Sequence, residues 1–389
     1  MSAKRRTAEG NMLIAQSGGP TAVINRSLVG AALEAREHAA IGKVYGALHG
    51  IQGILHQDFV DLGRETKQQL ARVAATPSSA LGTVRKKPTA DDCRAMFEVM
   101  RKFNIRFFFY IGGNDSAETA HIVNEQARKE RYALCCFHIP KTVDNDLRSN
   151  DHTPGYGSAA RFVAMAFMGD NLDNRALPGV KINVVMGRHA GFLTAASALA
   201  RVHEDDGPHL VYLPERPFSL DGFVRDVQEV YGRLGRCVVA VSEGVADKDG
   251  TPIASKFIKE TDSHGNVQLS GTGALGDLLA GHLRTKTEIC RVRADTFGYL
   301  QRSFPSVVSE TDAAEAEAVG RQAVRYAVGS HRDGSVAIRR AKTKKYKAEF
   351  RRVPLRSVAR DTRHMPASFI ARTGHDVTAA FLRYARPLA

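Results

Sequence analysis

Arg106-Phe107-Phe108-Phe109-Tyr110-Ile111, followed at once by Gly112-Gly113-Asn114-Asp115-Ser116, is the stretch on which the fold turns. Its five successive apolar residues do not alternate as a half-exposed strand would, and suit a buried one. Two glycines then break the strand, and a helical pattern follows over residues 117–129. The same order recurs on both sides. NMLIAQ (11–16) runs into Ser17-Gly18-Gly19-Pro20 and a helical pattern over 22–37, and residues 132–139 run into Pro140-Lys141-Thr142. Further buried strands are expected at KINVVM (181–186), HLVYL (209–213) and CVVAVS (237–242). Strand, glycine turn and helix in repetition predict an α/β fold: Rossmann-like three-layer domains with largely parallel sheets. Ligands of such sheets gather at the carboxyl ends of the strands, where all these polar turns lie.

With 389 residues, 43% hydrophobic and 25% charged, the chain has the composition of a folded protein of two to three domains. No apolar run approaches the roughly 20 residues that span a bilayer. Residues 1–11 are polar and basic with no apolar core behind them, and the five cysteines show no CxxC spacing. The expectation is a cytoplasmic protein with reduced thiols and no membrane partner. The net charge of +14 draws on a basic run, Arg339 to Arg352, expected to be a solvated surface, an added helix or an oligomer contact. No nucleic-acid motif or aromatic interleaving accompanies it, so no nucleic acid is expected. Residues 247–273, rich in Gly, Ser, Thr and Asp, read as a long excursion or hairpin.

Three turns carry the chemistry. Ser17-Gly18-Gly19 after a strand suits a backbone cradle for phosphate, or simply a tight turn. Gly112-Gly113-Asn114-Asp115 is a second such loop with a carboxylate in it, or a helix N-cap. Lys141-Thr142-Val143-Asp144-Asn145-Asp146 sets a cation beside two carboxylates two residues apart. That pattern suits phosphoryl transfer, with one acid as base and one near a metal, although such turns also form for their own hydrogen bonds.

Taken together and in order, these turns resemble the phosphofructokinase family over about residues 11–330. Met186-Gly187-Arg188 resembles the family's sugar-phosphate motif, and Ser242-Glu243-Gly244 its substrate-binding glutamate turn. Arg293 and Phe297-Gly298-Tyr299-Leu300-Gln301-Arg302 resemble its phosphate clamp, and Arg85 sits where the family places an arginine over the transferring group. The resemblance implies two domains with the active site in the cleft between them. The donor domain would span 1–155 plus about 300–355 and the sugar-phosphate domain 156–299, with 356–389 a C-terminal extension. It further implies a homodimer or homotetramer, with Arg293 donated by a neighbouring subunit.

The family divides by donor. Members using pyrophosphate resemble GGDDS and PKTIDND, and members using ATP resemble GGDGS and GTIDND; the matching residues here are Asp115 and Lys141. A side chain and negative charge at Asp115 would repel a nucleotide's α-phosphate, while Lys141 fills that space with an ammonium. Pyrophosphate is therefore the expected donor and fructose 6-phosphate the expected acceptor, in glycolysis and gluconeogenesis. An ATP-dependent enzyme, a sedoheptulose 7-phosphate kinase and a non-catalytic regulatory subunit are the alternatives.

The roles that follow from the resemblance make Asp144 the base, with Thr142 and Arg188 assisting. Gly18, Gly19, Arg85, Gly113, Asp115 and Lys141 would hold pyrophosphate. Thr142, Asp144, Met186, Gly187, Arg188, Glu243, Arg293, Tyr299 and Arg302 would hold the sugar phosphate, and Asp115 and Asp146 would hold Mg2+. Asn114 stands where the pattern has an acid, so its share in the metal shell is left open. His189 reads as a packed or hydrogen-bonded histidine and Glu204-Asp205-Asp206 as a solvated turn. His203 and His209 lack the spacing of a zinc site, and Glu215 has no evident partner.

Overall fold

The computed structural model describes residues 9–256, 273–330, 332–359 and 361–389. In chain order its strands are β1 (Gly10–Gln16), β2 (Ile41–Ala47), β3 (Phe59–Asp61), β4 (Ile105–Gly112), β5 (Cys135–Pro140), β6 (Val180–Val185), β7 (Leu210–Tyr212), β8 (Cys237–Ser242), β9 (Val292–Thr296), β10 (Gly334–Arg340) and β11 (Ala348–Val353). They make two sheets in two compact units, one formed by the chain up to Val143, Leu147–Gly155 and Glu310–Thr362. The other is formed by Asp144–Asp146, Tyr156–Ser309 and Arg363–Ala389.

The first unit holds seven strands in the order β11-β10-β5-β4-β1-β2-β3. The five central strands are parallel, and β3 and β11 run antiparallel at the edges. The apolar run in β4 is unbroken because both of its faces are covered. Phe107, Phe109 and Ile111 pack in one core with Ile24 and Leu28 of the helix Ile24–Ala35 and Val319 and Ala323 of the helix Glu310–Ser330. Phe108 and Tyr110 point the other way, among Met96, Phe97 and Met100 of the helix Ala90–Lys102 and Val123 of the helix Asn114–Lys129. Each phenylalanine so buried contributes about 1.5–3 kcal/mol.

The second unit carries β7-β8-β6-β9, all parallel. One face buries Ile182, Val184, Val239 and Val241, from the centre of the sheet, under the helices Leu220–Leu234 and Ala274–Lys286. The helix Leu220–Leu234 is delimited by local chemistry. Ser219 Oγ accepts from Gly222 N at its start, and Gly235 ends it at φ +68°, a conformation that costs glycine little.

The chain leaves the second unit at Ser309 rather than near residue 300. Ser309 N donates to Ser158 Oγ and its hydroxyl to Leu388 O, and the Phe304 ring lies 5.0 Å from Phe162. Residues 363–389 belong to the second unit too. The basic run forms no helix; it is a solvated hairpin, with Lys342, Lys344, Lys345 and Lys347 exposed in the loop between β10 and β11. Arg339 and Arg340 end β10, Arg351 and Arg352 lie on β11, and the two strands pair antiparallel at the sheet edge. Alternation puts charge on the open side of an edge strand, a placement that discourages edge-to-edge pairing. Of the 247–273 excursion, Asp247 closes a tight turn by accepting from Asp249 N and Thr251 N, while residues 257–272 lie outside the described residues. Among the described residues no helix is long and apolar enough to cross a membrane.

Candidate active site

β5, β4 and β1 are parallel neighbours, so the three turns that follow them leave the same edge of the first sheet. Backbone bonds carry the ladder into the turns, from Ser17 N to Ile111 O (2.9 Å) and from Lys141 N to Gly112 O (3.0 Å). Gly18 is left-handed at φ +74°, and a Cβ there would sit 3.3 Å from Lys141 Nζ. Gly112 has no room for a side chain, since a Cβ would lie 2.0 Å from Ser116 Oγ. The Lys141 side chain is buried and its ammonium donates to Gly19 O at 2.6 Å, a short charge-assisted bond that ties the first turn to the third. Asp115 is exposed in the first turn of the helix Asn114–Lys129, where the helix dipole favours a negative charge.

Arg85 reaches this edge through its neighbour. Val84 O accepts from both Gly18 N and Ser17 Oγ, and the Arg85 side chain is exposed. Gln16 holds the segment that leads there, accepting from Ser79 Oγ and Leu81 N. Thr142 is fixed through its backbone, donating to Pro154 O and accepting from Thr153 Oγ1.

A residue the motifs do not reveal sits beneath the second turn. His138, fully buried on β5, contacts Gly112 O and Ser335 Oγ, each at 2.8 Å. A carbonyl can only accept, so Nε2 carries the proton and Nδ1 accepts from the serine hydroxyl. Burial pushes this imidazole down to about 4, so it is neutral at physiological pH. A histidine inside an apolar strand is the one signal that marked it.

In the second unit, β6 and β8 are parallel neighbours and their turns interlock. Glu243 is buried, and its Oε1 accepts from Gly187 N at 3.4 Å, while Ser242 Oγ donates to Gly187 O at 2.6 Å. Met186 is buried and Arg188 half-buried. Phe297 N extends the ladder from β9 to Val184 O, and beyond it the Arg302 guanidinium stacks 4.5 Å from the centre of the Tyr299 ring. Arg293 is not brought to this end. It pairs with Lys181 near the amino ends of β9 and β6, three residues or about 10 Å along the strand from Thr296. In the Asp144–Asp146 turn, Asn145 is buried at φ +59° and donates to the Tyr384 hydroxyl at 2.8 Å. Asp144 and Asp146 are half-buried.

The residues set aside from the sequence are also placed. Glu215 does have partners, accepting from Gly191 N and Met365 N, both at 2.9 Å. Asp206 is no solvated acid; it is buried and accepts from Val202 N, His203 N and Asn171 Nδ2. His209 Nδ1 accepts from Val238 N at 2.8 Å, and burial pushes its ring down to about 4. His189 is exposed rather than packed, and its backbone carbonyl accepts from His364 Nδ1 at 2.8 Å. Among the described residues no three His, Cys, Asp or Glu side chains gather as a metal cage.

The chain belongs to the phosphofructokinase family, whose profile matches residues 11–327. Over 382 residues it is 59% identical to the pyrophosphate--fructose 6-phosphate 1-phosphotransferase of Rhodospirillum rubrum, covering 98% of this chain and 94% of that one. It is 38% identical to the enzyme of the same name from Xanthomonas campestris, covering 97% of this chain and 91% of that one. The crystal structure of the pyrophosphate-dependent phosphofructokinase from Nitrosospira multiformis is similar with a TM-score of 0.88 at 32% identity, covering 97% of this chain and 91% of that one.

Proposed function

We propose that this chain transfers a phosphoryl group from pyrophosphate to the 1-hydroxyl of fructose 6-phosphate, reversibly, giving fructose 1,6-bisphosphate and phosphate. The observation that carries the donor assignment is the buried Lys141 ammonium bonded to Gly19 O, with Asp115 exposed on the neighbouring turn. A cation fixed at that depth favours a compact polyanion and occupies space that a longer nucleotide needs.

Phosphoryl transfer depends on positioning and on charge stabilisation. Asp144 takes the proton of the 1-hydroxyl as that oxygen attacks the nearer phosphorus. The bond from that phosphorus to the bridging oxygen breaks, and phosphate leaves with the bridging electrons. Thr142 orients the base and the hydroxyl. Arg85, Lys141 and Arg188 neutralise the charge on the transferred group, and the backbone at Gly18, Gly19 and Gly113 holds the leaving phosphate. Met186, Gly187 and Glu243 position the sugar, and Tyr299 and Arg302 grip its 6-phosphate, where the planar guanidinium suits a phosphate face. Arg293 serves the 6-phosphate of a neighbouring subunit's site.

Mg2+ keeps several waters and binds through one or two carboxylates plus phosphate oxygens, so an exposed Asp115 or a half-buried Asp146 has the chemistry it takes. Asp115 and Asp146 are the carboxylates that would hold it, with Asn114 at most a neutral oxygen, and the ion would supply charge neutralisation on the phosphates. The subunits form a homo-oligomer. Met165, Met168 and Leu172 lie exposed at helical spacing on Tyr156–Ala176, a stripe suited to a second copy. The reaction serves cytoplasmic glycolysis and gluconeogenesis.

The test is phosphorylation of fructose 6-phosphate in magnesium with pyrophosphate and ATP as parallel donors. Turnover with pyrophosphate and little with ATP is expected. Turnover with ATP alone overturns the donor, and none with either overturns the activity. Sedoheptulose 7-phosphate in the same assay sets the acceptor range.

A further inference from the structure

Residues 363–389 lie beyond the stretch 11–327 that the family profile matches, yet they fasten both turns assigned to the sugar. Arg363 N donates to Asp146 O at 2.7 Å. The Tyr384 hydroxyl accepts from Asn145 Nδ2 at 2.8 Å and from Arg363 Nη2 at 3.4 Å. The next two residues turn the other way. His364 Nδ1 donates to His189 O at 2.8 Å, and Met365 N donates to Glu215 Oε1, which also accepts from Gly191 N. Three consecutive residues thus bond the Asp144–Asp146 turn on one side and the loop after Met186-Gly187-Arg188 on the other.

We propose that Arg363–Met365 and Tyr384 are positioning residues that hold Asp144 and Arg188 in one frame for phosphoryl transfer. The proposal rests on the function assigned above. Asn145 is the pivot, with no solvent exposure and a left-handed backbone that side chains rarely adopt. A buried amide keeps such a conformation when its donors are satisfied, and loses its anchor when they are not. Without the tyrosine hydroxyl the turn relaxes, carrying the carboxylates on either side with it. The tyrosine ring itself stays packed, with Phe369 at 5.1 Å and Phe381 and Phe192 at 6.2 Å, so removing the oxygen leaves the core filled.

The test is Tyr384→Phe in the full chain, with steady-state kinetics on fructose 6-phosphate and pyrophosphate. We expect kcat to fall about 10- to 100-fold, as displacements of up to about 1 Å at a reacting group do. The KM for fructose 6-phosphate should stay within about twofold, as a loss confined to the transition state requires. Asn145→Ala, which also strains the left-handed backbone, should lose at least as much, and adding Tyr384→Phe to it should cost nothing further. A kcat within about twofold of the unaltered chain, or losses that multiply, overturns the proposal. Hydrogen exchange reads the same coupling without turnover: peptides covering 143–149 should exchange faster in Tyr384→Phe, and unchanged exchange overturns the proposal. An unaltered chain that does not phosphorylate fructose 6-phosphate overturns the function instead, and exchange then decides whether Tyr384 holds the turn.

Discussion

Gly244→Ala tests whether the interlocked turns of the second unit set the position of Arg188. A Cβ on Gly244 would lie 2.0 Å from Arg188 O, 2.6 Å from its C and 2.8 Å from its Cα. Ordinary contact begins at 3.4 Å, so the two backbones must part by about 1.4 Å along the shortest of these contacts. The obstacle is backbone, and no rotamer change relieves it. Ser242 and Glu243 both bond to Gly187, so the displacement passes to the whole Met186–Arg188 turn. A misplacement of about 1 Å costs about 10²-fold in rate, close to 2.7 kcal/mol. We therefore expect kcat/KM for fructose 6-phosphate to fall about 10²-fold at saturating pyrophosphate. Gly232→Ala is the control: it lies in the helix Leu220–Leu234 with nothing within 4 Å of the added carbon, and should stabilise by about 0.5–1 kcal/mol with unchanged kinetics. Thermal midpoints of both variants separate loss of fold from loss of position. Gly244→Ala within about threefold of the unaltered kcat/KM, at an unchanged midpoint, would refute the reasoning.

Lys141→Met keeps the apolar stem and removes the ammonium assigned to pyrophosphate; a hydrogen bond to a charged group contributes about 1.5–3 kcal/mol, so kcat/KM for pyrophosphate should fall about 10- to 150-fold. An unchanged value would remove Lys141 from the donor site. His138 should make stability acid-sensitive. Its folded pKa of about 4 lies below the unfolded 6.5, so the unfolded chain takes up the proton first. That contribution, about 3 kcal/mol, is complete above about pH 6.5 and lost as pH falls toward 4. Urea midpoints should fall less steeply over that window in His138→Gln, and identical slopes would refute the assignment. Leu172→Glu should shift sedimentation toward the monomer, and an unchanged oligomer would take the exposed stripe out of the contact.

Much of both sheets was legible because burial on both faces leaves a local mark. The run Phe107–Ile111 and the glycines after it fall on β4 and its turn, and 11–16 and 237–242 likewise fall on β1 and β8. The edge strand β11 has no such mark, and the two arginines that end β10 drew its charged end into the same reading as surface or helix, although Gly334–Ile338 are buried. The polar turns after β1, β4 and β5 were legible as turns too, because glycine, lysine and carboxylate at short spacing are constrained by the backbone they share. Their partners were not. Glu215 acquires Gly191 and Met365 as donors, His138 acquires Gly112 and Ser335, and Asn145 acquires Tyr384, 239 residues away. Composition and spacing determined the α/β class and picked out the three polar turns, and the resemblance to a family implied the rest of the candidate site. Only the tertiary structure decided which side chains hold those residues in place, because a hydrogen bond depends on distance in space and leaves no period in the chain.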